Sequence, residues 1–235
     1  MKKFTYMDLL TQLGIGGAHP GGLIATEELL KGESIIPSTK ILDAGCGTGQ
    51  TSAYLYEQYK ADIIALDQHP VMLDKAQKRF SEKSLPIKVI QGDIEQTPLD
   101  DQSINYCLSE SVLSFVDVPA ALAEMKRILK EDGSLLAVEM TLNSPVEKKD
   151  YEAIQNFYGF KQIWEENDWR KAFEQAGFQH IEITKLHAFD EDAPITEFHP
   201  SENIHPAIFD ILSIHEELLM RYQSVLNYRL IRAQK

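Results

Sequence analysis

The stretch ILDAGCGTG, Ile41 to Gly49, decides the reading of this chain. A short apolar run reaches an aspartate and then glycines at alternate positions, Gly45, Gly47 and Gly49. The residues that follow, Thr51 to Lys60, have helical spacing. A strand that turns through glycines into a helix gathers backbone N–H groups at one point. Glycines there reach positive φ and let a ligand approach the backbone closely. The helix start adds unpaired N–H donors and a field that favours a carboxylate or phosphate. A tight strand-to-helix turn with no ligand is the plainer alternative.

Outward from this stretch, short β-branched runs alternate with helical patterns. Strands are predicted at Lys40 to Ala44, Asp62 to Asp67, Ile87 to Gln91, Ile104 to Ser109 and Ser134 to Met140. Helices are predicted at Pro70 to Glu82, with Pro70 suited to a first turn, and at Val118 to Lys130, where Val118, Leu122, Met125 and Leu129 share a face. Asp132-Gly133 reads as the turn between that helix and the fifth strand. Such alternation indicates βαβ units in a parallel sheet. Sheets of this kind bind ligands at the carboxyl ends of their strands. That rule selects Asp43 to Gly49, Asp67, Asp93, Ser109 to Val112 and Glu139 to Thr141. Beyond Met140 come a helix over Glu165 to Ala176, a strand over Phe178 to Leu186, a helix over Ala207 to Met220 and a last strand over Asn227 to Ala233.

The strand ends describe a ligand. Asp67 can accept hydrogen bonds from both hydroxyls of a ribose, although it also suits a cap for the Pro70 helix. Asp93 can accept from an exocyclic amine, and Ile94 offers an apolar surface to a purine. A dinucleotide fingerprint is the nearest rival, but its third glycine would fall at Gln50. The lysine of a P-loop is absent as well.

Taken in order, these motifs resemble the class I S-adenosylmethionine-dependent methyltransferases of the small-molecule type. ILDAGCGTG is similar to the family's first motif, ALD at 65–67 to its acidic second motif, and GDIEQTPLDDQSIN at 92–105 to its third. Residues 108–140 resemble its fourth-strand, helix, fifth-strand segment, and NYRLIRAQK its last strand. The resemblance implies an α/β fold with a doubly wound, Rossmann-like sheet of seven strands, parallel except for the last, and helices on both faces. It implies S-adenosyl-L-methionine as cofactor. Gly45, Cys46, Gly47 and Gly49 would line its methionine part, with Asp43 reaching the amino group. Asp67 and Gln68 would hold the ribose, Asp93 and Ile94 the adenine, and Ser109 and Glu110 would lie beside the sulfonium.

The sulfonium is already a strong donor, so the protein mainly aligns an acceptor in line and excludes water. A general base helps where the acceptor is a hydroxyl or an acidic carbon. Glu110, directly after the fourth strand, and His19 are the candidate catalytic residues. Each has a bland reading, a cap carboxylate and a loop histidine. Glu139, His187, His199 and His205 are weaker candidates, read equally as buried or solvated groups. His19 belongs to GIGGAHPGG, Gly14 to Gly22, which has no strand before it. That stretch joins a helix near Phe4 to Leu13 to another at Leu23 to Lys31, and is expected to fold over the cleft within a helical lid, residues 1–31. A simple surface hinge is the alternative. Substrate-side insertions are expected at 143–164 and 187–206 of a single domain spanning 1–235. The aromatics Tyr151, Phe157, Tyr158, Phe160, Trp164 and Trp169 read either as pocket lining or as the core of a helical cap.

Composition limits the function classes. The net charge of −13 opposes a phosphate backbone, which argues against an RNA methyltransferase. No apolar run suggests a membrane span, and the start lacks a signal-peptide pattern, so a cytoplasmic protein is expected. Cys46 and Cys107 have no CxxC spacing, and the seven histidines form no HExxH, so no metal is expected. A small-molecule methyl acceptor is the expected partner. A homodimer is left open, as is a cofactor-binding protein without catalysis.

Overall fold

The computed structural model describes residues 3–185 and 197–235. The strands are β1 (Lys40–Ala44), β2 (Asp62–Asp67), β3 (Lys88–Gln91), β4 (Ile104–Glu110), β5 (Leu129–Leu142), β6 (Trp164–Glu165), β7 (Gln179–Thr184) and β8 (Leu226–Gln234). The helices are α1 (Tyr6–Leu13), α2 (Gly22–Leu30), α3 (Gln50–Tyr59), α4 (Pro70–Glu82), α5 (Val118–Ile128), α6 (Lys148–Tyr158), α7 (Glu166–Gln175) and α8 (Ala207–Tyr222).

The sheet runs β3-β2-β1-β4-β5-β8-β7, with β6 paired to β5 off this path. Pairing is parallel except at β8, which lies antiparallel to both β5 and β7. This is the doubly wound architecture the alternating pattern implies. Two differences stand out. The sheet has eight strands rather than seven, because Trp164 and Glu165 pair with Thr141 and Leu142. The fifth strand also begins five residues earlier than expected, taking Leu129 and Lys130 from the helix. It runs through Asp132-Gly133 as an irregularity, not a turn. The register with β4 shifts between Ile104 and Tyr106, and Gly133 sits where a Cβ would approach the Asn105 carbonyl oxygen at 3.0 Å.

Side chains alternate across a strand, and this parts the core into two layers. Leu42, Ala44, Ile64 and Leu66 face α5 and α7, where Trp169 and Phe173 are fully buried. Ile41, Ile63, Ala65 and Leu108 face α2, α3 and α4, including Leu29, Leu55 and Phe80. The segment expected as a helical lid therefore divides. α2 packs on a sheet face, whereas α1 packs on α8 through Leu9, Leu13 and Ile208. A further cluster of Ile154, Tyr158, Phe160 and Tyr222 joins α6 to α8. Helices α1, α6 and α8 thus build a cap over the strand ends. Tyr158 and Phe160 belong to it, whereas Trp164 and Trp169 meet edge to face below, in the sheet core. No described helix is long and apolar enough to cross a membrane.

Candidate active site

A cavity of about 1290 Å³ lies between the strand ends and the cap. The strand ends supply one half of its wall: Asp43 near the end of β1 with Gly45, Cys46 and Gly47 after it, Asp67 at the end of β2 with Gln68 after it, Asp93 and Ile94 after β3, and Glu110 at the end of β4. α1 and α8 supply apolar side chains to the other half, including Leu9, Leu10, Leu212 and Leu219.

The loop from β1 to α3 is held by its neighbours. The Gly45 and Cys46 amides donate to the Leu66 carbonyl at 2.7 and 2.9 Å. Asp67 accepts from the Gly47 amide at 2.9 Å and the His69 amide at 2.8 Å, so it both fixes this loop and starts α4. Burial raises its pKa. Asp43 accepts from the Ser52 hydroxyl at 2.5 Å. Its pKa is pushed up to about 7, mainly by burial, with further upward pressure from the charges of Glu110 and Asp67. Asp93 turns one oxygen to the Glu95 amide at 2.9 Å.

Two candidates lie elsewhere than expected. Gly49 is off the cavity wall: a Cβ there would stand 2.5 Å from the Phe80 ring, so this glycine serves packing between α3 and α4. Ser109 is fully buried within β4, its hydroxyl without a partner, and is likewise off the wall. Gly47, by contrast, faces open space, where an added Cβ would meet nothing within 4 Å.

His19 and Glu110 come together. The His19 Nε2 lies 3.3 Å from Glu110 Oε2, and both side chains are largely buried. Neither Glu110 oxygen is idle: Thr26 donates to Oε1 at 2.6 Å and Thr51 to Oε2 at 2.7 Å. Thr26 Oγ1 also lies 3.5 Å from His19 Nε2. The other ring nitrogen, Nδ1, is buried and has no partner. The four residues come from the Gly14–Gly22 stretch, α2, α3 and β4. Thr26 and Thr51 carry no sequence signal linking them to Glu110, because the link exists only once α2 lies on the sheet.

Glu139 is a structural group. Its carboxylate accepts from the amides of Val112, Leu113 and Ser114 and from the Ser114 hydroxyl, at 2.9 to 3.3 Å, and so holds the 3₁₀ turn Leu113–Phe115. Burial pushes its pKa up to about 7. His199 and His205 are exposed and off the cavity wall, and His187 lies outside the described residues. His69 and His215 do line the cavity, and neither was singled out in the sequence. His215 Nδ1 stands 3.0 Å from the Tyr158 hydroxyl.

The Gly14–Gly22 stretch covers the β1–α3 loop. A Cβ at Gly16 or Gly17 would crowd Gln50 Oε1, at 2.6 and 2.9 Å. Residues 197–201 fasten it from outside. The Gly16 amide donates to the Glu197 carbonyl, and the His199 amide to the Gly14 carbonyl. The Glu197 carboxylate pairs with Arg79, whose Nε donates to the Thr48 carbonyl at 2.9 Å.

The fold and this acid-lined cradle define a Rossmann-like protein built to hold a nucleoside with a polar tail. Residues 42–137 match the family model described as a methyltransferase domain. A Bacillus subtilis (strain 168) protein described as uncharacterized methyltransferase YodH is 38% identical over 232 residues, which cover 98% of this chain and 99% of that one. The malonyl-[acyl-carrier protein] O-methyltransferase of Serratia marcescens is 39% identical over 139 residues, 59% of this chain but only 46% of that protein. Among solved structures, Haemonchus contortus phosphoethanolamine N-methyltransferase 2, with S-adenosylhomocysteine, aligns at a TM-score of 0.74 with 16% identity, covering 91% of this chain and 52% of that one. The geranyl diphosphate C-methyltransferase of Streptomyces coelicolor A3(2) aligns at 0.71 with 16% identity, covering 91% and 77%. At such identity these likenesses speak for the fold. The chain belongs to the class I S-adenosylmethionine-dependent methyltransferases. S-adenosylmethionine is the cofactor, and the cradle fits it: Gly47 leaves space for a ligand, and the buried Thr48 Oγ1 and Gln50 Oε1 have no partner within the protein.

Proposed function

We propose that this protein methylates a small molecule whose attacking atom carries a proton, and that His19 removes that proton. The observation that carries the reading is the buried His19–Glu110 pair on the cavity wall, 3.3 Å apart, with Nδ1 left unpartnered. A buried polar atom without a partner is rare in a folded protein, and an acceptor hydroxyl would complete it.

S-adenosylmethionine, when bound, supplies a methyl group on a cationic sulfur. The chain's own residues do the rest. Asp43 would take the cofactor's ammonium, Asp67 its ribose hydroxyls, and Asp93 with Ile94 its base. With Nε2–H donated to Glu110, the His19 lone pair lies on Nδ1. The acceptor's proton passes to Nδ1 as its oxygen or carbon attacks. The resulting imidazolium is balanced by Glu110, which Thr26 and Thr51 keep in place. Glu110 thereby acts through His19 as a positioning residue. The Gly14–Gly22 stretch, fastened by Glu197 and Arg79, serves as the lid that excludes water.

The test uses methyl-labelled S-adenosylmethionine, a metabolite extract and the purified protein. Label should appear in a small molecule with the native chain and be lost with His19→Ala, while calorimetry shows unchanged S-adenosylhomocysteine affinity. Equal labelling by the variant would remove His19 from the chemistry.

A further inference from the structure

The cavity is larger than one small ligand needs. Pockets for drug-sized ligands hold roughly 300–1,000 Å³, and this one reaches about 1290 Å³. With the cofactor assigned to the strand ends, the remainder lies beneath α1 and α8, between Leu9, Leu10, Phe115, Phe160 and Leu212. Its rim is apolar as well. Phe198, Leu219 and Met220 line the cavity yet are exposed, Met220 to 66%.

Charge is distributed just as unevenly. Four carboxylates, Asp43, Asp67, Asp93 and Glu110, line the cavity. Among the described residues no lysine or arginine does, and residues 186–196, LHAFDEDAPIT, contain neither. The carboxylates already act on one another, since Glu110 and Asp67 both push the Asp43 pKa upward. His215 is no substitute cation, because burial lowers its pKa and favours the neutral ring. A second carboxylate or a phosphate in this space would find no lysine or arginine beside it, only the cofactor's sulfonium, and would face the four carboxylates at low dielectric. The helix N-termini on the cavity wall, of α2 at Gly21 and Gly22, α3 at Gln50 and α4 at His69 and Pro70, are the places where an anion could be held.

We propose that the acceptor is an uncharged, predominantly apolar molecule bearing a weakly acidic hydroxyl or C–H, which enters past Met220 and Phe198 and lies along α1 and α8. This rests on the methyltransferase reading above and narrows it. It also parts this chain from proteins named for malonyl, diphosphate or phosphoethanolamine substrates.

The experiment is a calorimetric titration of the S-adenosylhomocysteine-saturated protein with 4-octylphenol, nonanoate and octyl phosphate. The phenol should bind at least about tenfold tighter than either anion, a difference of about 1.4 kcal/mol. Met220→Lys, at the exposed rim, should narrow that ratio while leaving S-adenosylhomocysteine affinity unchanged. Equal or tighter binding of an anion, or no binding of the phenol, would overturn the proposal, the first by pointing to an anion site at a helix N-terminus of the cavity wall. Failure of S-adenosylhomocysteine itself to bind would instead strike the cofactor assignment, so the two failures are distinguishable.

Discussion

Two glycine-rich stretches meet above the strand ends, and they use glycine for different reasons. In Gly45–Gly49 the backbone is held at several points, while Gly47 faces open space. Asp67 holds the Gly47 amide, the Leu66 carbonyl holds two more, and the Phe80 ring presses on Gly49. Gly14–Gly22 is softer only in its middle: Gly16 and Gly17 lie against the far end of the Gln50 side chain, whereas Gly14 meets the His199 backbone and Gly21 the Tyr228 ring. In the function proposed above, the first loop is the cradle and the second its cover. The difference teaches that glycine density alone says little. A strand before the loop and a helix after it make a cradle, whereas a loop between two helices makes a cover.

His19→Ala should have the largest effect, because it takes the proposed chemistry out of the cover. Loss of a general base costs about 10²- to 10⁴-fold in rate, so kcat should fall by that amount with S-adenosylhomocysteine affinity unchanged. A fall of less than threefold would make the stretch a hinge only. Thr51→Val offers a finer version. It keeps the shape and removes one donor to Glu110, so kcat should fall several-fold with KM nearly constant.

Gly49→Ala attacks the rigid loop. Its φ of 75° strains any other residue, and the added carbon would stand 2.5 Å from Phe80. Left-handed strain and overpacking together should cost about 2–4 kcal/mol. Thermal unfolding should show a fall in Tm of at least about 4 °C at this chain length. An unchanged Tm would mean that Phe80 moves freely.

Asp43 gives the cradle a pH dependence. Its carboxyl is raised to about 7 in the free protein, so it is largely protonated at pH 6. An ammonium bound there favours the ionised form, and the proton must leave. S-adenosylhomocysteine affinity should therefore fall as pH drops below about 7, by up to about tenfold per unit, and level off above it. Asp43→Asn should bind more weakly at pH 8 and lose the slope below 7. A retained slope would assign the titration to another group.

The rigid loop was legible in the sequence because its signals are local. ILDAGCGTG shows strand, turn and helix within a few residues, and Asp67 and Asp93 end strands that periodicity reveals. The Gly49 contact with Phe80 was not, because a close approach between two helices leaves no mark in either. Glu110 and His19 could be named as candidates, but their contact and its support by Thr26 and Thr51, which arrive from α2 and α3, exist only after folding. The eighth strand was hidden for a similar reason. A two-residue pairing such as Trp164–Glu165 is too short to show a period. The helix end at Ile128 was hidden because Leu129 continues the apolar helical pattern while its partner, Ile104, lies on another strand.

The smallest effect sharpens the comparison most. Gly16→Ala adds the same single carbon as Gly49→Ala, and at a similar nominal clearance, 2.6 Å from Gln50 Oε1. Yet Gly16 has no left-handed φ to strain, and the atom it meets ends a flexible side chain. Gln50 can swing aside at little cost, so Tm should change by less than about 2 °C, in line with an effect near 0.5 kcal/mol. The consequence should appear in binding. If the cover must seat on Gln50 to close, acceptor KM rises several-fold. A Tm loss as large as that of Gly49→Ala would show that the cover is as rigid as the cradle. The distinction between the two loops would then fail.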